Sequence, residues 1–82
     1  MEKTLFRSEY RILLRLLLQA RKDAGVTQEG LALRLDVPRS TITKWETGQQ
    51  RIDVLEFWSW CEQIGVDPLS LLAAFRDELR KA

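Results

Sequence analysis

Histidine is missing from this chain of 82 residues, and cysteine occurs once, at Cys61. Without histidine the chain lacks the commonest general base and metal ligand. It also has no glycine-rich phosphate loop, no cluster of metal-ligating residues and no base beside the thiol. A single cysteine excludes an internal disulfide and fits a reducing compartment. We therefore expect neither an enzyme nor a protein that binds a cofactor or a metal.

Long hydrophobic runs are missing as well. No stretch approaches the roughly 20 apolar residues of a membrane span, and the N-terminus lacks the apolar region of a signal peptide. Hydrophobic residues make up 45% of the chain, which is enough for one modest core. We expect a soluble, cytoplasmic protein with a single domain over residues 1–82, whose stability would gain from a dimer.

Two short helical patterns joined by a turn occupy the segment from Thr27 to Gly48. Thr27 suits the N-cap of the first pattern, which breaks before Pro38. The second runs from about residue 39 to 47, and Gly48 suits a left-handed cap. One side of both patterns is apolar and predicts a core face: Leu31, Ala32, Leu35, Ile42 and Trp45. The other sides are polar and predict a face for a partner: Arg34, Arg39, Ser40, Thr43 and Lys44.

A helix is predicted before this segment, from about residue 9 to 24, with Ser8 as its N-cap and Gly25 as its stop. Its core stripe consists of Tyr10, Leu13, Leu14, Leu17, Ala20 and Ala24. Ile12 and Leu16 lie nearly opposite that stripe. They form either a small exposed patch or a contact with a partner.

Two further helices are predicted after the segment. Asp53 and Glu56 have the spacing of a capping box before a helix from about residue 54 to 64. This helix is apolar on most of its circumference and should be the most buried, through Val54, Phe57, Trp58, Trp60, Cys61 and Ile64. Asp67 and Pro68 start a fifth helix with a stripe of Leu71, Leu72, Phe75 and Leu79. We interpret Cys61 and the three tryptophans as core residues.

The segment from Thr27 to Gly48 resembles the helix-turn-helix of lambda-repressor-like, or XRE, DNA-binding domains. The agreement extends from about Arg11 to Phe75 and includes TQ at the first helix start, STITKWE in the recognition helix and the later turn IGVDP. The resemblance implies a compact all-α domain of five helices that binds operator DNA, commonly as a homodimer. It also implies DNA contacts from Gln28, Arg39, Ser40, Thr43 and Lys44, with Thr41 nearby, and an internal pair between Arg21 and Glu46.

Each DNA contact has a chemical rationale and a plainer alternative. Gln28 lies at a helix start, where free amides favour a phosphate, or it is an ordinary solvated residue. Arg39 can bind guanine O6 and N7 or hold a phosphate, and Lys44 can reach a guanine or the backbone. Thr41 can contact a phosphate or thymine, or bond to its own backbone. Arg51, in the loop after the recognition helix, is a phosphate clamp or a solvated charge.

The net charge of +1 is unevenly distributed. Residues 1–52 contain 10 lysines and arginines against 6 aspartates and glutamates, a net charge of +4. Residues 53–82 contain 3 against 6, a net charge of −3. This asymmetry would turn the N-terminal two-thirds toward DNA, unless the charges are scattered by chance.

Four residues depart from the family pattern. Asp36 stands at the turn where glycine is usual, and a left-handed conformation is costly for it. Pro38 replaces a serine cap. Gly30 replaces an acidic residue, which costs about 1 kcal/mol relative to alanine and removes the capping-box partner of Thr27. Leu33 lies where a charged residue is typical.

The helix-turn-helix segment and its resemblance to the XRE family predict a sequence-specific transcriptional regulator. Such a regulator could be a phage repressor, a restriction-modification controller or an antitoxin, in a prokaryotic or phage setting. It would bind a palindromic operator as a homodimer, with half-sites about 10 base pairs apart. The alternative is a protein-interaction module that uses the same fold to hold a partner protein. Its candidate surfaces are Ile12, Leu16 and Leu33, or Leu71, Leu72, Phe75 and Leu79. A purely architectural DNA binder would lack sequence preference.

Overall fold

The computed structural model describes residues 7–81, which form five α-helices and no strand. The helices are α1 (Arg7–Asp23), α2 (Gln28–Leu35), α3 (Arg39–Thr47), α4 (Val54–Gln63) and α5 (Pro68–Lys81). The expected all-α class is confirmed. Most of the N-terminal segment in which we expected no signal peptide lies outside the described residues.

Most helix ends carry the predicted caps. Oγ1 of Thr27 accepts the N–H of Gly30 at 2.9 Å, which satisfies a free donor at the start of α2. Asp53 and Glu56 form a complete capping box at the start of α4, each side chain accepting the other's backbone N–H at 2.8 Å. Gly48 ends α3 in the left-handed region, with φ 82°. Local signals in the sequence therefore set these boundaries.

The start of α1 differs from its prediction. Arg7 is already helical, so Ser8 lies inside the helix and its assignment as the N-cap is wrong. An exposed serine weakens a helix by only a few tenths of a kcal/mol, too little to stop it. At the other end Ala24 lies beyond the helix and is exposed, so it does not belong to the core stripe.

The core lies where the apolar faces of α1 to α4 meet, and Leu71 of α5 also belongs to it. Its most deeply buried large side chains are Leu17, Leu31, Ile42, Trp60 and Cys61. Trp45 and Trp60 pack with ring centroids 6.2 Å apart and planes tilted by 58°, a geometry typical of aromatic pairs. Trp45, Trp60 and Cys61 are therefore core residues, as predicted.

Only one face of α4 is buried. That face consists of Phe57, Trp60, Cys61 and Ile64, at the spacing of a single helical stripe. Val54, Leu55 and Trp58 are exposed, at 68%, 76% and 40%. Although α4 is apolar on most of its circumference, the prediction that this makes Val54 and Trp58 buried core residues is wrong. The cause is packing: α4 meets α2 and α5 on its inner side.

The last helix, α5, packs along α1. Leu16 packs against the core and Ile12 is half-buried, so of the two alternatives for this pair the exposed patch is wrong, and the contact with a partner stays a prediction. Within the predicted stripe of α5, Leu71 is buried and Leu72 is exposed at its margin. The other two members, Phe75 and Leu79, are half-buried. The packing of α5 on α1 thus leaves part of the apolar surface of α5 exposed, at Leu69 and Leu72.

Candidate functional site

The turn between α2 and α3 fixes how the second helix leaves the first. Asp36 takes the left-handed conformation expected of a glycine there, with φ 58°. The N–H of Val37 then donates to the carbonyl of Ala32 at 3.0 Å and closes the turn. Ala32 is buried, and its small side chain allows the helices to approach closely. Pro38 begins α3 without a side-chain cap bond.

Gly30 leaves room for the cap of α2. A Cβ at this position would lie 3.2 Å from Oγ1 of Thr27 and 3.7 Å from Cγ1 of Val26. The first distance is tight enough to push on the oxygen that accepts the Gly30 N–H. Part of the propensity cost of about 1 kcal/mol is therefore offset by an undisturbed cap.

The outward side of α3 gathers most of the predicted DNA-binding residues. Arg39, Ser40 and Lys44 are exposed, and Thr43 between them is half-buried. Together with Gln49 these four residues line one shallow depression, which we call the α3 surface. The opposite side of α3 carries buried Ile42 and Trp45. The helix is held from behind and presents guanidinium, hydroxyl and ammonium groups to solvent.

Gln28 lies behind this surface, half-buried at the start of α2. Its Nε2 donates to Oε1 of Glu46 at 2.7 Å. Its Oε1 accepts from Nε of Arg39 at 3.3 Å and, more loosely, from Oγ1 of Thr43 at 3.5 Å. Both ends of the amide are therefore engaged within the protein. The sequence did not predict this role, because the partners lie 11 to 18 positions away in the chain.

The predicted pair between Arg21 and Glu46 is present and buried. Nε of Arg21 lies 2.6 Å from Oε2 of Glu46, and Nη2 donates to Oε1 at 3.3 Å. Nη1 donates to the carbonyl of Val26 at 2.8 Å. Only 8% and 6% of the two side chains are exposed. Each buried charge is thus matched, which such a pair needs to avoid a large desolvation penalty.

Arg51 lies apart from the α3 surface, against the N-terminal half of α1. Its guanidinium carbon is 4.2 Å from the ring centroid of Tyr10. The Tyr10 hydroxyl accepts the N–H of Ile52 at 3.0 Å. One tyrosine therefore holds two successive residues of the α3–α4 loop, and a cation over an aromatic face is favourable. The sequence did not indicate this contact.

Thr41 lies on the opposite side of α3 from Arg39 and Thr43. It is half-buried and lines a groove with Leu35, Val37 and Leu55. The helical rotation of about 100° per residue accounts for this, because Thr41 lies two positions beyond Arg39 and about 160° from Thr43. The structure therefore does not bring Thr41 together with the α3 surface.

Cys61 lies in the core, where burial, with a smaller contribution from Asp67, raises its pKa to about 11. A neutral, inaccessible thiol is a poor nucleophile. Residues 7–81 contain no group of three or more metal-ligating side chains. None of the five helices is long and apolar enough to cross a membrane.

Comparison with known proteins agrees with this geometry. The sequence profile of the Helix-turn-helix family matches residues 17–71. A solved structure described as an XRE-family like protein from Pseudomonas syringae pv. tomato str. DC3000 is similar to this chain, with 44% sequence identity and a TM-score of 0.87. The alignment covers 94% of each chain. No curated protein has a matching sequence.

Proposed function

The chain belongs to the XRE family of helix-turn-helix proteins, and from this premise we propose that it is a sequence-specific transcriptional regulator that binds operator DNA as a homodimer. One observation carries the proposal. The polar side of α3 is exposed, while its apolar side is fixed in the core by Ile42 and Trp45. The major groove of DNA is wide enough for an α-helix, whose exposed polar side chains can then contact the base edges.

Within this proposal, Arg39 has the main role in reading sequence. It lies at the first residue of α3 and is exposed, so its guanidinium can reach the floor of the groove. Its planar fork matches O6 and N7 of guanine, a contact worth about 1–3 kcal/mol of discrimination. Ser40, Thr43 and Lys44 lie beside it and would supply further base or phosphate contacts.

Gln28 has a narrower role in the proposal than the sequence alone indicated. Its side-chain amide is engaged by Glu46 and Arg39, so it orients Arg39. The first turn of α2 still offers backbone N–H groups and the positive end of the helix dipole to a phosphate. Gln28 would thus connect the start of α2, whose backbone N–H groups contact a phosphate, with Arg39, whose side chain contacts a base.

Selection of bound fragments from random double-stranded DNA, followed by sequencing, tests the proposal. We expect a motif with two-fold symmetry and half-sites about 10 base pairs apart. On that site Arg39→Ala should change preference at one base pair by about 1–3 kcal/mol. Arg76→Ala, an exposed arginine of α5, is the matched control and should leave the preference unchanged. Recovery of no motif would contradict sequence-specific regulation and favour an architectural DNA binder.

A protein-interaction module is the second candidate, because large apolar side chains are exposed. Leu33 on α2 is 82% exposed, and Leu55 and Trp58 lie exposed on α4. Exposed apolar groups of this size mark contacts with other proteins when they are contiguous. Light scattering with fluorescence anisotropy separates the candidates. A dimer whose DNA binding weakens with salt supports the regulator, whereas a monomer indifferent to DNA supports the interaction module.

A further inference from the structure

A second basic surface adjoins the polar side of α3. Arg7, Arg11 and Arg15 follow one another at intervals of four residues along α1 and line an open groove of about 560 Å³ with Arg51. We call this surface the arginine groove. Thr47 and Gly48, at the end of α3, form part of its wall. Four guanidinium groups therefore border one groove.

The positive charge of the arginine groove is largely unmatched within residues 7–81. Arg15 pairs with Glu78 of α5, with 3.2 Å between Nη2 and Oε1. Arg7, Arg11 and Arg51 form no ion pair with a carboxylate of the described residues. Among the described residues, Glu46 is the one carboxylate that lines the groove, and it is already paired with Arg21. Such a cluster of like charges attracts a polyanion and repels itself without one.

The groove continues the polar side of α3. Thr47 lies four positions after Thr43 and eight after Arg39, so the three share one side of the helix. Thr47 also donates to the carbonyl of Thr43 at 2.8 Å. A helix of 9 residues is about 13.5 Å long, close to the roughly 12 Å width of the major groove. With Arg39 in the major groove, the far end of α3 lies near a bordering phosphate strand.

Tyr10 fixes part of the groove in advance. Its ring supports the guanidinium of Arg51, and its hydroxyl anchors the next residue of the loop, Ile52. The loop arginine is exposed but is therefore held against Tyr10 of α1. A held cation loses less side-chain entropy when it binds an anion.

We propose that the arginine groove is a second DNA-binding surface, which holds the phosphate backbone just outside the base pairs contacted by α3. The proposal rests on the proposed function and extends it: the helix-turn-helix reads the sequence, and α1 with Arg51 lengthens the footprint. The ligand is the sugar-phosphate backbone of duplex DNA, recognised by charge and not by sequence.

The test uses the double variant Arg7→Gln and Arg11→Gln. Binding to the site recovered by selection is measured as a function of salt, on a duplex extended by about 10 base pairs on each side and on one trimmed to the motif. The matched control is the double variant Arg76→Gln and Arg80→Gln, which makes the same charge change on α5 and leaves the groove lining intact. Circular dichroism verifies that both variants are folded.

On the extended duplex the salt slope of the Arg7 and Arg11 variant should be smaller than that of the wild type by about 0.9 for each phosphate contact removed. On the trimmed duplex the two proteins should bind alike, and the recovered motif should be unchanged. Ethylation of phosphates flanking the motif should interfere with binding of the wild type but not of the variant.

Other outcomes overturn the inference. Equal slopes for the wild type and the groove variant on the extended duplex would show that the groove does not touch DNA. An equal loss in the α5 control would reduce the effect to net charge. If the wild type recovers no motif and binds no duplex, the proposed function fails as well. If it binds its motif but is insensitive to Arg7 and Arg11, only the groove assignment fails.

Discussion

Glu46 joins the buried interior of the protein to the surface that we propose faces DNA. Its Oε2 accepts from Nε of Arg21. Its Oε1 accepts both from Nη2 of Arg21 and from Nε2 of Gln28. Gln28 in turn accepts from Arg39. The orientation of the exposed Arg39 guanidinium is therefore connected, through Gln28, to an ion pair that solvent scarcely reaches. Breaking the buried pair should affect stability first and recognition second.

The variant Glu46→Ala tests the first part of that statement. It would leave the guanidinium of Arg21 buried and unmatched, so we expect the free energy of unfolding to fall by about 3 kcal/mol or more. Urea denaturation followed by circular dichroism measures the change. Asp77→Ala is the control, because it removes a carboxylate from an exposed pair with Arg76. Near-wild-type stability of Glu46→Ala would mean that the buried pair does not organise the fold.

The variant Gln28→Ala tests the orientation of Arg39. If Gln28 acts through Arg39, the loss from Gln28→Ala and the loss from Arg39→Ala should not add in the double variant, with an interaction energy of about 0.5–3 kcal/mol. Affinities for the selected site and for the same site changed at one base pair provide the measurement. Additive losses, with the base preference intact in Gln28→Ala, would indicate that Gln28 only contacts a phosphate.

Two neighbouring tryptophans of α4 should respond very differently to truncation. Trp60 is 1% exposed and packs on Trp45, so Trp60→Ala should cost about 3–5 kcal/mol and leave so small a domain largely unfolded. Trp58 is substantially exposed, and its indole only donates to Glu62 at 3.2 Å. Trp58→Ala should cost about 1 kcal/mol or less. Thermal unfolding distinguishes them, and similar melting temperatures would show that exposure is a poor guide here.

At the scale of the element, the sequence predicted the helix ends better than the helix faces. Caps depend on residues three or four positions apart, as between Asp53 and Glu56, and can be recognised from the chain alone. Faces depend on what packs against them. Trp58 and Leu16 were misplaced because their surroundings are set by helices distant in sequence. An apolar pattern shows which side chains of a helix are hydrophobic, but it does not show which other helix packs against them.

The turn between α2 and α3 offers a test of backbone strain. Asp36 holds a positive φ, which glycine adopts without steric cost, so Asp36→Gly should stabilise the protein by up to about 1 kcal/mol. Gly48→Ala is the opposite case. A Cβ there would meet Leu14 only at an ordinary 3.5 Å, so the expected loss of about 1 kcal/mol or more comes from its φ of 82°. Chemical denaturation of both variants checks the signs, and a stabilising Gly48→Ala would refute this account.

At the scale of the whole molecule, the sequence predicted the fold class, the order of the five helices and the surface residues of α3. It could not predict the contacts that organise the site. Gln28 and Glu46 are separated by 18 positions, and Tyr10 and Ile52 by 42. Neither pair belongs to a short motif, because the first joins α2 to α3 and the second joins α1 to the α3–α4 loop. The arginine groove has the same origin, because α1 and the α3–α4 loop meet only in the folded molecule.

Cys61 reports on the stability of the whole molecule through its pKa. Burial in the folded protein raises the pKa of the thiol to about 11, whereas the pKa of the unfolded thiol is near its ordinary value of 9.0. The contribution of this thiol to stability is thus fully present below pH 9.0 and is lost as the pH rises toward 11. Between about pH 8 and about pH 10 the free energy of unfolding should fall by about 1–2 kcal/mol from this group.

Urea denaturation at the two pH values measures the decrease, and Cys61→Ala isolates it. All other ionisable groups are the same in both proteins, so only the difference between the wild type and the variant belongs to the thiol. Cys61 is completely buried, so a thiol reagent should modify it only when the core opens. The modification rate should therefore rise with urea in parallel with global unfolding. Rapid labelling of the native protein would mean that the core around α4 opens locally, without the rest of the molecule. Equal pH dependence in Cys61→Ala would mean that folding does not raise the pKa of the thiol.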